Sequence, residues 1–109
     1  MGEFESEPVW TDAWLLLSVI YASRNHPASL GEVLMAGEYI NHTGFTQEEL
    51  DDGFFRLKGG GWIGRSTERL SVNPKTLDAY KTIAAQGLSA WDELKQLELV
   101  LGIKHAPGT

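Results

Sequence analysis

The sequence predicts a mainly α fold with one small β-hairpin, and three observations predict it. Five apolar stretches with helical spacing each follow a capping signal, two of them as Ser/Thr-x-x-Glu boxes. Two short strand-like runs, 62–65 and 69–72, flank a three-residue polar turn. A chain of 109 residues with 42% hydrophobic and 22% charged residues has the balance of one ordinary globular domain, which excludes disorder and collagen. At this length folding removes about 65% of the unfolded chain's surface from water, enough for one core. Residues 1–8 read as a flexible acidic tail and 9–109 as a single domain.

Thr11 can cap the first helix, with Trp10 and Leu15 as a hydrophobic staple; it runs to about Arg24, where Asn25-His26-Pro27 stops it. Ser29-Leu30-Gly31-Glu32 opens a second helix whose apolar face is Leu30, Val33, Leu34 and Ile40. Thr46 to Glu49 opens a third, stapled by Phe45 and Leu50, with Leu50, Phe54 and Leu57 spaced i, i+4, i+7 for burial; Gly59-Gly60-Gly61 ends it. The hairpin of 62–72 follows. Asn73 caps a fourth helix with Pro74 at its first position, carrying Leu77, Tyr80, Ile83 and Ala84. Ser89 to Asp92 opens a fifth, with a seam of Trp91, Leu94, Leu97 and Leu101.

Charge and missing residue types narrow the function. Nine Lys and Arg stand against fifteen Asp and Glu, a net charge of −6. Without the tail acids Glu3, Glu5 and Glu7, twelve acids remain against nine bases, still −3. A general nucleic-acid binder would show a basic surplus, because its affinity rests on neutralising phosphates. No cysteine is present, which excludes disulfides, thiolate zinc sites and cysteine catalysis. The longest apolar stretch, Ala13 to Ala22, is broken by Ser18 and would span only about 15 Å as a helix, half a bilayer core. The expectation is a cytoplasmic protein without membrane attachment. Met1-Gly2-Glu3-Phe4-Glu5-Ser6 formally fits a myristoylation pattern, but an acidic tail is repelled by anionic lipid.

The order helix, helix, helix, hairpin, helix resembles the winged helix-turn-helix family over Ala28 to Tyr80, about half the chain. Ala28-Ser29-Leu30-Gly31-Glu32-Val33 is similar to the start of that family's second helix. Thr46 through Ile63 is similar to its third helix running into a strand. Arg69-Leu70-Ser71-Val72-Asn73-Pro74-Lys75 is similar to the strand that leaves the wing. The resemblance implies a winged-helix-like three-helix core plus a wing and two C-terminal helices. It also implies a third helix that reads the DNA major groove, a wing on phosphate or the minor groove, and, in many relatives, dimerisation through flanking helices.

The third helix departs from that pattern. At about 100° per residue, Leu50, Gly53, Phe54 and Leu57 share one side, while Glu48, Asp51, Asp52, Phe55 and Arg56 lie opposite. Acids in a first turn suit the helix dipole, which accounts for Glu48 and Glu49 but not for Asp51 and Asp52. Four carboxylates beside phosphates are repulsive. Phe55, apolar among acids, has three readings: covered by a terminal segment of the same chain, seated in a homodimer or partner interface, or simply exposed. Lys58, Arg65, Arg69 and Lys75 gather around the hairpin, either as a phosphate-contacting wing or as a solvated edge whose charges keep short strands from pairing.

No constellation for catalysis or metal binding stands out. His26, His42 and His105 fall in turns or the tail, and the triple glycine is neither a phosphate loop nor a dinucleotide fingerprint. The four tryptophans read as core, with a ligand pocket among Trp14, Tyr21 and Trp91 left open. The expectation is therefore a protein without catalytic activity, cofactor or metal, acting by protein contact or self-association. Its contact residues are Phe55, Asp51 and Asp52. A homodimer is expected on the first and fifth helices, through Leu16, Ile20, Trp91 and Leu94. The alternative is a DNA-binding transcription regulator using Lys58, Arg65, Arg69 and Lys75.

Overall fold

A helix that is apolar on every side must be surrounded, and α1 (Trp10–Ala22) is. The computed structural model describes residues 8–64 and 68–103. Within them every residue of α1 from Asp12 to Ile20 is buried. The cover comes from α2 (Leu30–Asn41), α3 (Gln47–Gly59) and α5 (Ala90–Leu101), while α4 (Pro74–Ala84) packs on α5. The all-round apolarity of α1, from which a dimer was expected, is thus satisfied inside one chain. Leu16 and Ile20 are core residues.

Two glycines let the helices approach. A methyl group at Gly53 would lie 2.7 Å from the Leu15 side chain, so only a hydrogen there allows α3 to settle on α1. One at Gly37 would lie 2.5 Å from the Phe45 ring, which stacks on Trp14 with centroids 3.7 Å apart. The Trp14 indole N–H then donates to the Gly37 carbonyl at 2.9 Å. Phe45, Trp14 and α2 thereby lock together without an unsatisfied polar group.

The helix starts follow the sequence with one shift. Ser29 and Thr46 head full capping boxes with Glu32 and Glu49, and Ser89 accepts from the Asp92 N–H. The first helix is capped two residues before the expected Thr11. Val9 sits at the N-cap, and its N–H donates to Asp12 at 3.1 Å. Asn73 precedes α4 as expected, but its side chain is used elsewhere. On α4 the buried residues are Thr76 and Ile83, and Leu77 is left 45% exposed.

The hairpin is a correction. Among the described residues there is no strand; residues 62–72 make only two isolated antiparallel bridges, Ile63 with Val72 and Leu70 with Ala28. Residues 65–67, including Arg65, lie outside the described residues. The two ladder bonds beside the Ile63–Val72 pair do form, Asn73 N–H to the Trp62 carbonyl at 3.1 Å and Gly64 N–H to that of Ser71 at 2.9 Å, but the pairing stops there. The Asn73 amide donates to the carbonyls of Gly61 and Ile63, and the Thr76 hydroxyl donates to that of Trp62. Leu70 exchanges both of its backbone bonds with Ala28, at 2.7 and 2.8 Å, so it is turned toward the loop before α2. Beyond these bonds Pro74 has no N–H and opens α4, and Leu70 pairs with a distant segment, so the ladder does not extend into strands. Among the described residues the wing is absent, and the winged-helix architecture falls with it. The fold is all-helical.

Candidate functional site

The outer face of α3 is the most distinctive surface. Its inner face buries Leu50, Gly53 and Leu57, so the 3.6-residue period drives Glu48, Asp51, Asp52 and Phe55 into solvent. Phe55 is 72% exposed. It stands at the edge of a groove of about 370 Å³, with Leu57, Trp62, Leu101 and Pro8 among its lining residues.

The wall of that groove is held by an ion pair. Arg56 Nε donates to Asp12 Oδ2 at 2.7 Å and Nη2 donates to Oδ1 at 3.1 Å. Asp12 is fully buried and the Arg56 side chain is 15% exposed. The hydrogen bonds to Asp12 hold the Arg56 guanidinium even more firmly charged than usual, against the opposing effect of burial. This fork ties α3 to the first turn of α1 and fixes the backbone between Phe55 and Leu57.

The basic residues do not form a free patch. Lys75 reaches across the loop, donates to the Gly60 carbonyl at 2.6 Å and sits 4.0 Å from the centre of the Trp62 ring. Lys58 lies over the Phe54 ring at 5.7 Å, and Arg69 is exposed. Lys58 and Lys75 thus spend their charge on aromatic faces and a carbonyl.

The expected dimer residues separate. Leu16 and Leu94 are fully buried, as is nearly all of Ile20, whereas Trp91 is 41% exposed and leans on Trp10 with centroids 6.0 Å apart. The aromatic trio imagined as a ligand pocket is also divided. Trp14 is stacked on Phe45, and Tyr21 turns to α5.

That second polar junction was missed in the sequence. Tyr21 and Tyr80 both donate to Glu93 Oε1, at 2.5 and 2.8 Å, and Glu93 is buried. Burial first, then the bonds to Glu93, push both phenols up from the ordinary tyrosine value. The available signal was Glu93 itself, a carboxylate sharing a face of α5 with Leu97 and Val100 at i, i+4 and i+7. The buried Asp12 had a similar signal, an acid in an otherwise apolar helix.

Among the described residues, no three or more His, Cys, Asp or Glu side chains converge as a metal site would require, and no helix is long and apolar enough to cross a membrane. Compared with protein-family models, curated proteins and solved structures, the chain has no match. The likeness to winged helix-turn-helix domains therefore gains no support from relatives.

Proposed function

We propose that this chain works by protein contact through the outer face of α3, with Phe55 as the anchor. The observation that carries the reading is a phenyl ring 72% exposed beside an apolar groove whose wall is fixed by the Asp12–Arg56 fork. A rigid aromatic next to a preformed apolar groove loses little entropy when it is covered, and burying a Phe contributes about 1.5–3 kcal/mol. Glu48, Asp51 and Asp52 around it disfavour a nucleic acid as the partner, and Lys58 and Lys75 are engaged within the chain.

The test has two arms. Sedimentation of the full chain across about a hundredfold dilution reads self-association, and Phe55→Ser should abolish any concentration-dependent mass. A photo-crosslinking residue at position 55, expressed in the source cell, reads a separate partner. It should give one defined adduct, while the same group at the exposed Asp78 gives none. A constant single-chain mass together with no adduct specific to position 55 overturns the reading. Retardation of duplex DNA in about 150 mM salt that is lost in Lys58→Gln/Lys75→Gln would favour the DNA-binding alternative instead.

A further inference from the structure

On the face formed by the end of α1, the loop after it and α4 lies a second cleft, of about 350 Å³. Its residues divide by chemistry. Ile20, Val72 and Leu77 supply apolar surface, and Arg24, Asn25 and His26 supply polar groups. In a chain with fifteen carboxylates, none of the cleft's lining residues is an acid.

Arg24 is preorganised. Its guanidinium lies 4.5 Å from the centre of the Tyr21 ring. It also lies near Tyr80, whose hydroxyl donates to buried Glu93 at 2.8 Å. The Tyr21 hydroxyl donates to the same oxygen of Glu93. Two tyrosines fixed on Glu93 of α5 thus stand beside an arginine that lines the cleft. A guanidinium has five N–H donors, so contact with a ring face leaves its fork available. The Glu32 carboxylate faces His26 Nε2 at 3.9 Å. Leu77, 45% exposed on α4, forms one wall of the cleft.

We propose that this cleft binds a small amphipathic carboxylate, with its carboxylate on the Arg24 fork and its hydrocarbon body against Ile20, Val72 and Leu77. The volume falls at the lower end of small-ligand sites, which suits a short acyl or single-ring acid. The charge-assisted pair fixes orientation, and the apolar wall selects an acid with a body over a bare anion.

The test is an NMR titration of the full chain with phenylacetate, with its neutral isostere phenylacetamide, and with inorganic phosphate. Phenylacetate should give saturable shifts confined to the Ile20, Val72 and Leu77 methyls and the Arg24 side-chain N–H. Phenylacetamide and phosphate should each bind at least about tenfold more weakly. Arg24→Gln should weaken phenylacetate by about tenfold, and Leu77→Ala by a smaller factor. Both positions are exposed, so the fold should be retained, and the amide comparison on the unaltered chain does not depend on either variant. Absence of saturable shifts up to about 10 mM, equal binding of acid and amide, equal binding of phosphate, or an unchanged affinity in a folded Arg24→Gln protein would each overturn the proposal.

Discussion

Arg56 sets Nε and Nη2 against the two oxygens of Asp12, at 2.7 and 3.1 Å, across 44 residues of sequence. The carboxylate also accepts the Val9 N–H at the start of α1. One side chain therefore caps a helix, neutralises a buried charge and anchors the helix that carries Phe55.

Removing one partner leaves the other charge buried. Arg56→Met should cost about 3–5 kcal/mol, because Asp12 has no access to water. The double variant Asp12→Asn/Arg56→Met should recover a large part of that loss. Urea unfolding of the three proteins checks both statements; a single-variant loss below about 1 kcal/mol would mean that water reaches the site.

The Tyr21–Glu93–Tyr80 junction predicts how stability changes in alkali. Both phenols are pushed up in the folded state, chiefly by burial. The folded protein therefore holds these protons more tightly than the unfolded chain, whose tyrosines ionise near pH 10. The contribution is fully present below about pH 10 and is lost as pH rises from there through the folded values. Urea midpoints should hold steady between about pH 7 and pH 9 and fall above about pH 10, with a shallower fall in Tyr21→Phe/Tyr80→Phe.

Gly37 and Gly59 should respond in opposite directions to alanine. At Gly37 the new methyl meets Phe45 at 2.5 Å, and the ring is pinned by its stack on Trp14. Overpacking of that kind costs about 1–3 kcal/mol. At Gly59, in the last turn of α3, nothing lies within 4 Å, and alanine should add up to about 1 kcal/mol. Thermal melts of the two variants compare them directly.

The segment 61–64 should depend on side chains for its order. Asn73→Ala removes the amide that holds the Gly61 and Ile63 carbonyls. Hydrogen exchange at the Gly64 N–H, which donates to Ser71, should accelerate, while the amides inside α1 keep their protection. Uniform acceleration across the chain would show that the loop unfolds only with the whole.

What could be read in the sequence were the features set by local chemistry. Ser29, Thr46 and Ser89 sit where helices begin, because capping bonds form within four residues, and Pro74 marks the first position of α4 although Asn73 makes no capping bond. The outward placement of Phe55, Asp51 and Asp52 followed from helical period, which left open whether Phe55 is covered; the structure leaves it 72% exposed. The polar junctions were not legible, because Asp12 finds Arg56 and Glu93 finds Tyr21 across long separations that periodicity does not encode. The hairpin failed for the same reason. Residues 62–64 and 71–73 do share two backbone bonds, but Pro74 and the distant pairing of Leu70 with Ala28 stop the ladder there.

Leu16 and Phe55 should separate folding from contact. Leu16 has no exposed surface, and α1 is enclosed by α2, α3 and α5. Leu16→Ala opens a cavity in the centre of the fold and should cost about 2–5 kcal/mol. That loss should be the same at every protein concentration, because no second chain is needed to cover the site. Phe55 has little to lose within the chain, so Phe55→Ser should leave the melting temperature of the isolated chain nearly unchanged and act only on contact. A dimer built on α1 predicts the reverse: a Leu16 variant that folds normally and dissociates. Melting temperature and sedimenting mass, measured together on both variants, distinguish the two, because a core residue moves the first and an interface residue moves the second.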